Sequence, residues 1–294
     1  MSEFQAMPKK ANPLAGFMRQ PKIYIRLPSG GSYWPAGSLV MPESGELPVY
    51  SMTAKDELTF KTPDALMNGQ AVVEVIQSCI PAIKDAWKTP NIDLDFILVA
   101  IRIATYGEMM EISHVVPNTS ETVEHEIDLR ILLDQLSQNQ WEEAVEINRE
   151  LTCFVRPLTY KHITQTGLKA FETQRIMQAV NDDSIPEEKK LEIFNQSFSK
   201  MTEITVDLVA ESVQAIQIVD GTLVKEPSYI KEFLKNADAD MYKKINDHIA
   251  KMKKTIGIQP LKVQATPEQI ELGAPAEYEV PISLDNSDFF GRSS

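Results

Sequence analysis

The amino-acid sequence predicts an α+β protein: a domain of mixed strands and helices, then a mainly helical domain, with a flexible extension at each end. Two patterns carry this prediction. Short alternating segments such as residues 22–27 are interleaved with helical periodicity in the first half. Helical periodicity then runs through residues 187–218 without an internal Gly or Pro. We therefore divide the chain into a flexible basic arm, an α+β domain, a helical domain and an extended acidic tail, with bounds 1–20, 21–157, 158–257 and 258–294.

The composition is that of an ordinary globular protein and argues against several classes. With 294 residues, of which 43% are hydrophobic, the chain can bury a sizeable core. A net charge of −13 disfavours nucleic acid or an anionic membrane as a partner, because like charges repel. No apolar run reaches the length of a membrane span, and residues 1–19 lack the apolar segment of a secretory signal. Two cysteines make no disulfide framework, which indicates a reducing cytosol.

The first elements of the α+β domain follow from simple patterns. A strand over residues 22–27 leads into the turn 28–31, and Ser51 to Glu57 has the polar and acidic start of a helix. Residues 71–87 place one apolar face along a helix that Pro81 should kink or split. Because Cys79 lies on this face, we expect it to pack in the core rather than to act as a reactive thiol.

The next segment is the predicted centre of that core. Asp93 is expected to cap a helix that runs from Phe96 to Thr105 and ends before Gly107. The run from Phe96 to Ile101 is apolar on all sides, which is typical of a fully buried helix.

Two pairs of strands complete the domain. Alternation over residues 110–116 and 123–129 predicts a hairpin around the polar turn 117–122. Residues 143–156 are interpreted as a second extended pair, which Pro157 closes.

The rest of the chain is predicted to be mostly helical. We expect helices over 159–180, 187–218, 229–234 and 240–256, with Gly257 ending the last one. Near-heptad spacing in the long helix predicts an antiparallel packing seam of Leu191, Phe194, Phe198, Met201, Ile204, Leu208 and Ala215. From Ile258 on the chain is predicted to be extended, because Pro267, Pro275 and Pro281 resist helix.

Patterns that carry chemistry are absent or weak. The sequence has no Gly-rich phosphate loop, no nucleophile elbow and no Cys-x-x-Cys pair. His114 and His125 could face each other across the hairpin, but two imidazoles are two ligands short of a closed zinc site. We therefore expect no enzyme activity, no catalytic residue, no cofactor, no metal and no small-molecule substrate.

Several segments in order resemble one family of proteins. They are Leu27 to Gly30, Met52 to Leu58, Asn68 to Gln70, Asp93 to Phe96, Ile101 to Ile103 and Tyr106 to Glu108. This order is similar to the small baseplate-hub and hub-assembly proteins of T-even-type contractile-tailed bacteriophages, over about residues 20–160. Residues 168–174 and 284–291 resemble the longer members of that group. Such proteins often carry knuckle-like cysteine pairs beside the hairpin, whereas residues 115–121 here contain no cysteine.

The resemblance implies a non-enzymatic phage tail protein that takes part in baseplate hub assembly. Its partners would be other tail and baseplate proteins, such as hub and tape-measure proteins, with no role for nucleic acid or membrane. It would act in the cytoplasm of the host bacterium during assembly and, as a component, lie in the virion baseplate. The alternative is a tail-assembly chaperone that binds the tape-measure protein and is absent from the virion. A hydrolase is a third reading, disfavoured because no nucleophile–base pair is recognisable.

Charge and aromatic residues mark the expected contacts with partners. The first 22 residues carry four basic side chains against one acidic, and residues 264–294 carry six acidic against one basic. Opposite charges at the two ends, together with the hairpin tip, predict partner contacts at Lys9, Lys10, Arg19, Asn118, Asp285, Asp288, Phe289 and Phe290. For each of these residues, the simpler reading is a surface loop or a frayed terminus.

The end of the tail generates a first prediction. Burying an aromatic ring stabilises by about 1.5 to 3 kcal/mol, so Phe289 and Phe290 can anchor an extended peptide in a partner groove. A variant with Phe289→Ala and Phe290→Ala should keep its melting temperature and lose tail assembly. An equal loss of thermal stability would show instead that the tail packs on its own protein.

Overall fold

A computed structural model describes residues 14, 18–62, 69–179 and 186–282, and its elements are numbered in chain order within those ranges. The strands are β1 Pro21–Ile25, β2 Leu47–Tyr50, β3 Met109–Val115, β4 Thr122–Asp128, β5 Ala144–Glu146, β6 Leu151–Val155, β7 Val213–Ile218, β8 Leu223–Val224, β9 Leu261–Gln264 and β10 Glu277–Val280. The helices are α1 Ala54–Phe60, α2 Gln70–Cys79, α3 Asn91–Tyr106, α4 Leu129–Ser137, α5 Tyr160–Ala179, α6 Glu187–Ser212, α7 Pro227–Asn236, α8 Ala239–Ile256 and α9 Pro267–Glu271. Small antiparallel sheets combined with many helices confirm the predicted α+β class.

The first hydrophobic core surrounds α3. Side chains of the β1–β2 ribbon, α1, α2, α4 and β3 pack with it into one buried cluster. Every residue from Phe96 to Ile101 is buried, which confirms the prediction that this run is the centre of the core. Cys79 is also fully buried, as predicted, and burial raises the pKa of its thiol to about 12.

Pro81 splits the predicted helix over residues 71–87. Helix α2 ends at Cys79, and only a single 3-10 turn, Ala86–Lys88, follows before α3. Proline has no N–H to donate and its ring clashes with the preceding turn, so the helix cannot continue through it.

Asp93 does not cap the helix that it was predicted to start. The helix begins earlier, with Pro90 as its N-cap, and Asp93 lies inside its first turn with no exposed surface. The carboxylate accepts hydrogen bonds from the backbone N–H and hydroxyl of Ser29 and, at 2.7 Å, from Trp34 Nε1. Asp93 therefore fixes the turn after β1 onto the start of α3.

The second core lies on a four-stranded sheet with the order β5-β6-β7-β8. Helices α7 and α8 pack on it and contribute Ile230, Leu234, Ile245, Ile249 and Met252. Because β6 pairs with β7, the sheet joins residues on both sides of the predicted division at 157. The β3–β4 hairpin and the β5–β6 pair were both predicted, with only small differences in their bounds.

The long helix is shorter than its periodicity predicted. Helix α6 ends at Ser212, and residues 213–218 form β7 instead of continuing the helix. Val213, Ala215 and Ile216 are buried against β6 and the second core, and their backbone groups pair with Leu151–Val155. The prediction failed because apolar residues in this short run fit either period, and the neighbouring strand decided between them.

The segment after Ile258 is not uniformly extended. Strands β9 and β10 pair as an antiparallel ribbon, and between them Pro267 opens the short helix α9. The prediction that Pro267 resists helix is wrong, because proline is favoured in the first turn, where its missing N–H is not needed. Thr266 and Gln269 cap this helix reciprocally. The ribbon packs on the β3–β4 hairpin in a third cluster around Val116, Val263 and Tyr278.

The buried helix generates a second prediction. Leu98→Ala should reduce the free energy of unfolding by roughly 2 to 5 kcal/mol, because a cavity would open in a core without a solvent face. Chemical denaturation measures this loss, with Leu58→Ala on α1 as the control, since the Leu58 side chain is 66% exposed. Equal stabilities of the two variants would contradict the central role of α3.

Candidate functional site

The α5–α6 helical hairpin leaves several large apolar side chains exposed to solvent. Helix α5 starts on the first core, where the Tyr160 ring stacks on Trp87 at 5.6 Å between centroids. The two helices pack along each other, and Thr173 of α5 and Ser197 of α6 are both buried.

The unpacked residues form an apolar stripe, defined as Leu191, Phe194 and Phe198. Their side chains are 62%, 49% and 63% exposed. Spacing of three and four residues places all three on one face of α6. Phe171 and Ile176 of α5 are also exposed, so both helices of the hairpin leave large apolar groups in water.

The predicted packing seam is therefore only partly correct. Met201, Ile204 and Leu208 are half-buried, whereas the three residues of the apolar stripe face solvent and Ala215 belongs to β7. Residues at heptad spacing drift around a straight helix by about 20° per seven residues. One end of such a row can therefore pack on a neighbouring helix while the other end faces solvent.

The tip of the β3–β4 hairpin contacts the C-terminal ribbon. Asn118 adopts a left-handed conformation with φ of 62°, which Asn tolerates better than most residues. Its Nδ2 donates a hydrogen bond of 3.3 Å to the carbonyl of Gly273, although the residue remains exposed. The predicted contact residue at the tip thus already has one partner within the chain.

His114 and His125 do face each other across this hairpin. Their rings stack at 5.0 Å between centroids, and His114 Nε2 lies 3.1 Å from the hydroxyl of Tyr278. His114 Nδ1 and His125 Nε2 are buried without a hydrogen-bond partner. Within the described ranges no three His, Cys, Asp or Glu side chains cluster as metal ligands would.

Arg19 lies on the folded body. Its guanidinium donates to the carbonyls of Ser51 and Ser78, at 2.7 and 2.6 Å, and lies 3.6 Å from Asp56. This cluster joins the segment before β1 to α1 and α2. The other predicted contact residues, Lys9, Lys10, Asp285, Asp288, Phe289 and Phe290, lie outside the described residues.

Sequence reasoning did not find the apolar stripe or Arg102. Arg102 follows the apolar run of α3 and is only 4% exposed. The available signal was a charged residue directly after a run that is apolar on all sides. Its Nε and Nη1 have no hydrogen-bond partner, and the Tyr106 ring lies 4.6 Å from the guanidinium carbon.

Most of the chain matches one family of known proteins. A family model described as T4 bacteriophage base plate protein matches residues 38–269. No curated protein and no solved structure matches the chain. None of the helices in the described ranges combines the length and the apolar character that crossing a membrane requires.

The histidine stack generates a third prediction, on pH dependence. Burial and the neighbouring His125 lower the pKa of His114 below its usual 6.5. The unfolded chain therefore takes up this proton at higher pH than the folded chain, and stability should fall as pH decreases below about 6.5. Urea unfolding between pH 7.5 and 5 measures the slope, which His114→Asn should reduce.

His248→Gln is the matched control, because His248 lies on α8 away from the stack and bonds the carbonyl of Glu142. This variant should keep the slope. Some slope should also remain in His114→Asn, because burial lowers the pKa of His162 as well. A slope unchanged by His114→Asn would show that the stack does not disfavour the imidazolium.

Proposed function

Because the chain belongs to the T4 bacteriophage base plate protein family, we propose that it is a non-catalytic tail protein that takes part in baseplate hub assembly. It acts by binding other tail proteins, in the host bacterial cytoplasm during assembly and in the virion baseplate afterwards. The apolar stripe is the observation that carries this proposal, since exposed apolar patches mark protein-interaction sites.

The shape of the stripe favours a helical partner. Leu191, Phe194 and Phe198 recur at the spacing with which one helix meets another along a shared seam. Phenylalanine is enriched at the centres of interfaces, where exclusion of water from the ring supplies most of the gain. A helix with its own apolar face would extend the half-buried seam of Met201, Ile204 and Leu208 onto the stripe.

Catalysis has no part in this proposal. Burial raises the pKa of Cys79 and Cys153 to about 12, so both thiols stay protonated and unreactive at neutral pH.

A fourth prediction tests the stripe. Phe194→Glu combined with Phe198→Glu should leave the melting temperature within about 2 °C of wild type, because both side chains are already exposed. Assembly of tails, counted by electron microscopy of complemented lysates, should fall at least tenfold. Charges in the interface core would be buried without partners.

Leu58→Glu is the matched control, since Leu58 is an exposed apolar residue on another helix. Normal assembly in this control and failure in the stripe variant would support the proposal. Normal assembly in both variants would overturn it.

Mass spectrometry of purified virions decides between component and chaperone. A component of the baseplate would be present in stoichiometric amount. Absence of the protein from virions, with a requirement for it in tail assembly, would support the chaperone that binds the tape-measure protein and then leaves.

A further inference from the structure

Among the described residues of the first half of the chain, three charged side chains are buried, and two of them have hydrogen-bond partners within the protein for their charged groups. Asp56 is bonded by Thr53 and Ser78 and lies near Arg19. Asp93 accepts three hydrogen bonds. Arg102, by contrast, has two guanidinium nitrogens without a partner, and no carboxylate of the described residues forms an ion pair with it.

An unpaired buried guanidinium is costly, so its presence calls for an explanation. Arginine cannot shed its proton to reduce the cost, as a buried lysine or histidine can. The Tyr106 ring covers one side of the cation at 4.6 Å, but a ring face is only a weak acceptor and supplies no oxygen to the N–H groups at the edge of the guanidinium. Buried polar groups that lack partners are rare in native proteins, and one explanation is a partner that the protein itself does not supply.

Arg102 lines a cavity of about 390 Å³ beside the base of the β3–β4 hairpin. Thr105, Tyr106, Met109, Met110, Glu111 and Glu126 complete its lining. The hydroxyl of Thr105 is already engaged, since it donates to the Ile101 carbonyl and accepts from the Met52 N–H. Arg102 is thus the cationic group that the lining offers to a ligand.

The two glutamates of the cavity lining restrict the kind of ligand that the cavity can bind. Glu111 and Glu126 are exposed and lie directly opposite each other in the register of β3 and β4. Two like charges facing each other are unfavourable unless a cation comes between them. They repel a small free anion, and they attract an anion that carries a positive group beside it.

We infer that this cavity binds the carboxylate of an acidic side chain in a partner polypeptide, with a neighbouring basic side chain placed between Glu111 and Glu126. The carboxylate pairs with Arg102, whose planar donors suit it. The thioethers of Met109 and Met110 adapt to the stem of the entering side chain. A peptide with an acidic side chain next to a basic one therefore matches the charges of the cavity lining. Inorganic phosphate has no positive group and does not match them.

The fifth prediction tests this site with defined peptides on the full chain. Acetyl-Lys-Glu-Lys-amide should produce saturable chemical-shift changes at the backbone amides of residues 102–107 and 109–111 in ¹⁵N spectra. Acetyl-Lys-Gln-Lys-amide should bind at least tenfold more weakly, because a neutral amide replaces the charged acceptor. Inorganic phosphate should not saturate the same amides.

Two variants separate binding from folding. Arg102→Met should abolish the response while keeping or raising the melting temperature, because it removes a buried unpaired charge and retains volume. The exposed pair Glu111→Gln and Glu126→Gln should fold normally and weaken peptide binding severalfold. This second variant keeps the test decisive if Arg102→Met fails to fold.

Three results would overturn the inference. They are no response to the glutamate peptide, an equal response to the glutamine peptide, or saturation of the same amides by inorganic phosphate. Since the titration uses purified protein and the cavity shares no residue with the apolar stripe, a negative result would leave the assembly proposal intact.

Discussion

The fold depends on the burial of α3, a helix that has almost no face for water. Its residues from Phe96 to Ile101 are all buried, so other elements must surround it on every side. Ile92 at its start belongs to the second core, while the rest of the helix belongs to the first. The backbone of Thr89, just before it, and that of Asn91, its first residue, bond the backbone of residues 158–160. One apolar helix therefore organises the first core and holds it against the four-stranded sheet.

Buried charges give this apolar arrangement its specificity. Hydrophobic burial is non-directional, whereas an aspartate in the core must find its donors or lose several kcal/mol. Asp93 meets that requirement with Ser29 and Trp34, and Asp56 meets it with neighbouring hydroxyls and Arg19. Asp93 holds the turn after β1 on α3, and Asp56 holds the segment before β1 on α1. Arg102 is also buried, but two of its guanidinium nitrogens have no hydrogen-bond partner, and it lines the cavity proposed as a binding site.

The apolar stripe lies outside the buried clusters, whereas Arg102 lies on the helix at the centre of the first core. Leu191, Phe194 and Phe198 are exposed, so replacing them removes little of the packing that holds the fold. The Arg102 cavity opens beside the β3–β4 hairpin and shares Met110 with the first core. Loss of assembly at unchanged stability therefore distinguishes a contact role of the stripe from a structural one.

The sequence by itself determined where the first core lies and which segments form several of the elements around it. Hydrophobic periodicity and the positions of proline, glycine and polar turn residues predicted α3, the β3–β4 hairpin and the break at Pro81, because these signals are local. Nothing local indicates that Asp93 bonds a turn 64 residues away, or that residues 213–218 pair with β6. For the candidate site, spacing showed that Leu191, Phe194 and Phe198 share a face, but it could not show which side of α6 meets α5. Only tertiary structure decided these points, because exposure, pairing and charge satisfaction are properties of neighbours distant in sequence.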